Sequence, residues 1–171
     1  MNTRTLLTAA FTLLAALASS RAADPKPASE FTTTDPKKVE LIKEGEDSAT
    51  YRCPGLGGYQ VIFEQAHGRS WINLVWDSET LDLMDATLNA AKGDFPTKAN
   101  HVVQWRGYRD GDNFSPYAVI YRVKALNEEG QPIETFIIIQ CAQGATRVVG
   151  SLPASKGNKA AEALADKLCN S

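Results

Sequence analysis

Tyr59-Gln60-Val61-Ile62-Phe63-Glu64, followed by Ser70-Trp71-Ile72-Asn73-Leu74-Val75-Trp76, is the stretch that decides the fold. Both runs are rich in β-branched and aromatic residues, and His67-Gly68 between them supplies a tight reversal, so the pair reads as a β-hairpin. Working backward, Val39-Glu40-Leu41-Ile42 and Ala49-Thr50-Tyr51-Arg52-Cys53 flank the turn Glu44-Gly45-Glu46-Asp47 and read as two more strands. Working forward, Val102 to Tyr108 ends at Asp110-Gly111-Asp112-Asn113, a dense turn signal. Tyr117 to Ala125 and Ile133 to Cys141 are joined by Asn127-Glu128-Glu129-Gly130, and Gln143-Gly144 turns the chain into Thr146 to Leu152.

Two segments carry a helical period instead. Leu81, Met84 and Leu88 recur at three and four residues, with Asp77 or Ser78 as cap and Gly93 as stop. Ala161, Leu164 and Leu168 share one face of a helix from about Asn158 to Leu168. Strands joined by short turns imply antiparallel neighbours. The expectation is an α+β domain over residues 39–171: a curved antiparallel sheet of about seven or eight strands with the C-terminal helix packed on one face. Residues 23–38 hold Pro25, Pro27 and Pro36, three consecutive threonines and no apolar period, and read as a flexible lead-in.

The start of the chain reads as a secretory signal peptide over residues 1–22. Arg4 and the amine precede an apolar run from Leu6 to Ala18, which ends at the small-x-small sites Ala16-Leu17-Ala18 and Ser20-Arg21-Ala22. The run falls short of the roughly 20 residues of a membrane span. Cleavage is expected after Ala22, with Ala18 as the alternative. The expected location is therefore periplasmic or secreted. Removing Arg4 and Arg21 from 18 basic residues leaves 16 against 20 acidic ones, a net charge of about −4. That balance argues against nucleic acid, whose binders carry a basic stripe, and against a polybasic membrane patch.

Cys53, Cys141 and Cys169 are spaced by 88 and 28 residues and fit no zinc or redox motif. In an oxidising compartment the expected disulfide is Cys53–Cys169, closing almost the whole domain, with Cys141–Cys169 as the alternative.

Catalytic signals are sparse. The chain has only His67 and His101, no G-x-S-x-G elbow and no His-Glu-x-x-His. Gly55-Leu56-Gly57-Gly58 precedes a strand rather than a phosphate-binding helix, and Asp110-Gly111-Asp112-Asn113 lacks the later ligands of a calcium loop. No cofactor or metal is expected.

The binding candidates are aromatic and cationic: Arg69 beside Trp71 on the hairpin, and Trp105, Arg106, Tyr108 and Arg109 in the second half. Alternation puts Trp105 on the core face and Arg106 and Tyr108 on the other. Arg106, Tyr108 and Arg109, with Arg69, form the candidate exposed patch for an anionic ligand or a protein partner.

Tyr51-Arg52-Cys53-Pro54-Gly55-Leu56-Gly57-Gly58, Trp105-Arg106 and a final helix ending in Cys169 together resemble small exported proteins of alphaproteobacteria that lack an assigned function. That resemblance implies a periplasmic address and no activity. Tyr51-Arg52-Cys53 and a few following strand positions are also similar to the opening of periplasmic lysozyme inhibitors of the C-type barrel class, and carry over no residue role. The functional expectation is a non-catalytic periplasmic binding module. The alternatives are a hydrolase with a site near His67 or His101, and a lysozyme-inhibitor-like protein.

Overall fold

The hairpin forms as two strands, β4 (Gln60–Ala66) and β5 (Arg69–Trp76), paired in register from Gln60↔Val75 to Ala66↔Arg69. His67 (φ 48°) and Gly68 (φ 75°) are both left-handed, as the two central residues of a type I′ turn must be. The same device follows at Asp77 (φ 48°) and Ser78 (φ 67°). These residues do not cap a helix, as the sequence suggested. They turn the chain back into a short strand, β6 (Glu79–Leu81), and the helix α1 starts later, at Met84–Ala91.

The computed structural model describes residues 25–169, so the proposed signal peptide lies outside the described residues. The architecture is α+β, but the strands divide into two antiparallel five-stranded sheets rather than one curved sheet. The second sheet in space is β2 (Glu40–Gly45), β3 (Ser48–Cys53), β4, β5 and β6, in chain order. The first sheet has the order β1-β7-β8-β9-β10: β1 (Pro27–Thr33), β7 (Asp94–Asp110), β8 (Asn113–Leu126), β9 (Pro132–Gln140) and β10 (Arg147–Pro153). The C-terminal helix α2 spans Asn158–Cys169.

β1 overturns part of the flexible lead-in. Its one proline, Pro27, and its polar residues suit an edge strand, where a missing N–H costs little, and the threonines of β1 and just after it are used one by one. Thr32 Oγ1 accepts from Trp105 Nε1 at 2.9 Å, Thr33 Oγ1 donates to the His101 carbonyl at 3.1 Å, and Thr34 is fully buried. The chain pairs with β7 from Pro27↔Tyr108 to Thr33↔Val102.

The layers follow from alternation. Val103, Trp105, Val119, Tyr121, Ile137 and Ile139 face Val61, Phe63, Ile72 and Leu74 across the gap between the sheets. The opposite face of the first sheet, with Ala118, Ile120 and Ile138, is covered by Ala161 and Ala165 of α2. A strand covered on both faces needs apolar residues at both parities, which accounts for the wholly buried run Ile137-Ile138-Ile139.

A bulge at Tyr117 sets the site. Arg106 pairs with Ala118 but Gly107 pairs with Pro116, which leaves Tyr117 as the extra residue. Tyr117 and Ala118 both pack against the α2 side, as a bulge allows.

Candidate functional site

The sequence-derived binding residues do not form one patch. Trp105 is core, as alternation required, with no exposed surface. Arg106 points to the other face but is not solvated there, because α2 covers it. Its Nε donates to Asp166 Oδ1 at 2.9 Å and its Nη2 to Asp166 Oδ2 at 2.6 Å. Tyr117 donates its phenol to Asp166 Oδ1 at 2.6 Å, and Tyr108 packs on Tyr117 with the rings tilted, 5.3 Å between centroids. Gln104 extends the seam by donating to Ser29 Oγ (2.9 Å) and Glu162 Oε1 (2.6 Å). The seam is a fork-to-fork ion pair with its remaining partners in place, and it fastens α2 and β1 to β7. Alternation along one strand does not reveal that another layer lies on top.

Arg69 stands apart from the others. It is exposed at the β4–β5 turn, with its guanidinium 5.7 Å from the Phe95 ring centroid. Arg109 takes the opposite face from Arg106 and Tyr108: it faces Phe114 across the ladder and is ion-paired to Glu30.

Burial alone would raise the Asp166 carboxyl, but the hydrogen bonds from Arg106 and Tyr117 outweigh it and hold it below the usual 3.8. A carboxyl lowered in the folded state contributes stability that is present above its unfolded value, near pH 4, and is lost as pH falls through the folded one. Acid melts below pH 4 are therefore expected to destabilise the wild-type protein more steeply than Asp166→Asn, with both curves flat near neutrality. Parallel slopes would contradict the pairing.

The expected Cys53–Cys169 disulfide is absent, and all three cysteines are free. Cys53 packs in the core between the sheets, while Cys169 packs with α2 on the outer face of the first sheet, so a sheet separates them. Burial pushes the Cys53 and Cys169 thiols up to about 11. It raises Cys141 further, with Cys169 adding to the shift. Disulfides form through the thiolate, so these thiols resist exchange. Peptide mapping of unreduced protein should find no Cys53–Cys169 link, and iodoacetamide at pH 8 should leave Cys53 unlabelled until the chain is unfolded.

One concave feature lies between the sheets at their open end. Gly57, Tyr59, Trp76, Phe114, Pro116 and Cys141, with Ser115 and Gln143 at the rim, line a cleft of about 250 Å³. Tyr59 and Trp76 pack with tilted rings at 4.6 Å between centroids, and Tyr59 lies 6.3 Å from Trp105. The Tyr59 hydroxyl sits 3.4 Å from Thr146 Oγ1, and burial raises its phenol. The glycine run makes this wall. Gly57 (φ 59°) and Gly58 (φ 86°) are left-handed, and a Cβ at Gly58 would meet the Trp76 ring at 2.9 Å. Pro54 and the glycines Gly55, Gly57 and Gly58 let the chain reverse after Cys53, and no local pattern shows that the far side of this reversal faces Phe114.

Neither histidine lines this cleft. His67 is an exposed turn residue, and His101 is exposed with Nδ1 3.4 Å from Thr34 Oγ1. Among the described residues no group of three or more His, Cys, Asp or Glu side chains could hold a metal ion, and no helix is long and apolar enough to cross a membrane. No family model matches this chain, and no curated protein or solved structure is significantly similar to it.

Proposed function

We propose that the protein is an exported, periplasmic or secreted, non-catalytic binding module, and that its cleft seats one ring-sized group. The observation that carries this reading is the aromatic cleft itself. Buried Tyr59 and half-buried Trp76 and Phe114 line it at the end of the intersheet core, and aromatic side chains are where binding energy concentrates. A volume near 250 Å³ is below that of a cofactor-sized pocket, roughly 300–1,000 Å³. It suits a single side chain or a small ring. Export rests on residues 1–22, and N-terminal sequencing of protein recovered from the periplasm should begin at Ala23.

The test is an NMR titration of the mature protein with small aromatic compounds. Saturable shifts should centre on Tyr59, Trp76 and Phe114, and Trp76→Ala should remove them while the rest of the spectrum stays folded. Turnover of an ester, peptide or glycan substrate, lost in His67→Ala or His101→Ala, would replace this reading with the hydrolase alternative. Stoichiometric protection of cell-wall substrate from lysozyme would favour the inhibitor alternative.

A further inference from the structure

A cation stands against Phe114, one of the residues that line the cleft. Arg109 lies across the ladder from Phe114, with its guanidinium carbon 5.8 Å from that ring's centroid. It is ion-paired to Glu30 of β1, and both side chains are well exposed (43% and 37%). Glu30 is itself the cross-strand partner of Trp105, so the pair sits on the intersheet side of the first sheet.

Resting on the binding reading above, we propose that the cleft takes an aromatic carboxylate. The ring lies against Tyr59, Trp76 and Phe114, and the carboxylate takes Arg109 from Glu30. Three features support this class of ligand. An apolar cavity of about 150 Å³ is known to hold benzene, so a cleft near 250 Å³ has room for one substituted or fused ring. The guanidinium over Phe114 is oriented by the ring quadrupole before any ligand arrives. Glu30 shows that a carboxylate fits this guanidinium, and an exposed ion pair is weak enough to exchange for a ligand anchored by its ring. The shared chemistry could come from a free aromatic acid or from the C-terminus of a peptide ending in an aromatic residue.

The experiment uses phenylacetate and its neutral isostere phenylacetamide, titrated into the mature protein by NMR. The acid should bind about tenfold more tightly than the amide, the scale of one charge-assisted contact. Arg109→Gln should remove that preference. Glu30→Gln should tighten the acid up to about fivefold, the upper worth of an exposed pair, and leave the amide unchanged. Acetyl-Ala-Phe with a free carboxyl group, set against its amide, separates the sources. Binding tighter than phenylacetate assigns a chain terminus, and weaker binding assigns a free acid. Equal affinity for acid and amide, or a preference that survives Arg109→Gln, overturns the carboxylate inference and leaves the ring-binding reading intact. No saturable shift at the cleft with any probe overturns both.

Discussion

Trp105→Ala is expected to lower the unfolding free energy by about 3–5 kcal/mol, the cost of deleting a fully buried indole. The ring fills the space between the sheets beside Tyr59, so truncation opens a cavity lined by both layers. It also strips Thr32 Oγ1 of its donor on β1, the edge strand formed by the early part of the chain. Urea unfolding followed by circular dichroism should show a much lower midpoint with an unchanged slope. Trp105→Phe separates the two effects. It keeps most of the ring but removes the Nε1–H, and should cost clearly less, about 1–3 kcal/mol. A loss below about 1 kcal/mol in Trp105→Ala would mean that this face of β7 does not carry the core.

Arg106→Ala should cost about 2–4 kcal/mol. Removing one partner of a buried pair leaves the other charge stranded, but the figure is set below the fully buried case because Asp166 keeps 31% of its side chain exposed. Truncating both residues should cost less than the sum of the single changes, since the double variant leaves no orphaned charge. Arg109→Ala, three residues along the same strand, should stay within about 0.5 kcal/mol because its pair with Glu30 is exposed. Equal melting temperatures for Arg106→Ala and wild type would contradict the seam between α2 and the first sheet.

The contrast between these two arginines marks how far the sequence can be read. Parity along Val102–Tyr108 correctly put Trp105 in the core and Arg106 on the other face, because a strand's period is a local property. Whether that other face meets water depends on α2, about 60 residues away, and no local pattern reports it. The β4–β5 hairpin was legible because His67-Gly68 lies between two runs rich in β-branched and aromatic residues. Asp77-Ser78 misled because the residue types that cap helices also tolerate the left-handed conformation of a two-residue turn. Pro27 to Thr33 looked unstructured because an edge strand on a neighbouring sheet needs few apolar residues of its own. The cleft was the least legible feature. Its walls come from the reversal after Cys53, the end of β5 and the start of β8, and their meeting is a tertiary fact.

The placement of α2 bears on the order in which the fold can be completed. Ile120 and Ile138 are shielded by α2, which follows every strand of that sheet along the chain, and β1 must wait for β7 before it has any neighbour. Contacts this distant in sequence form slowly. A nascent chain therefore keeps an apolar sheet face bare until α2 emerges. The same property makes truncation hazardous: a message ending before Asn158 yields a sheet with its sticky side outward, a substrate for quality-control proteases and a seed for aggregates.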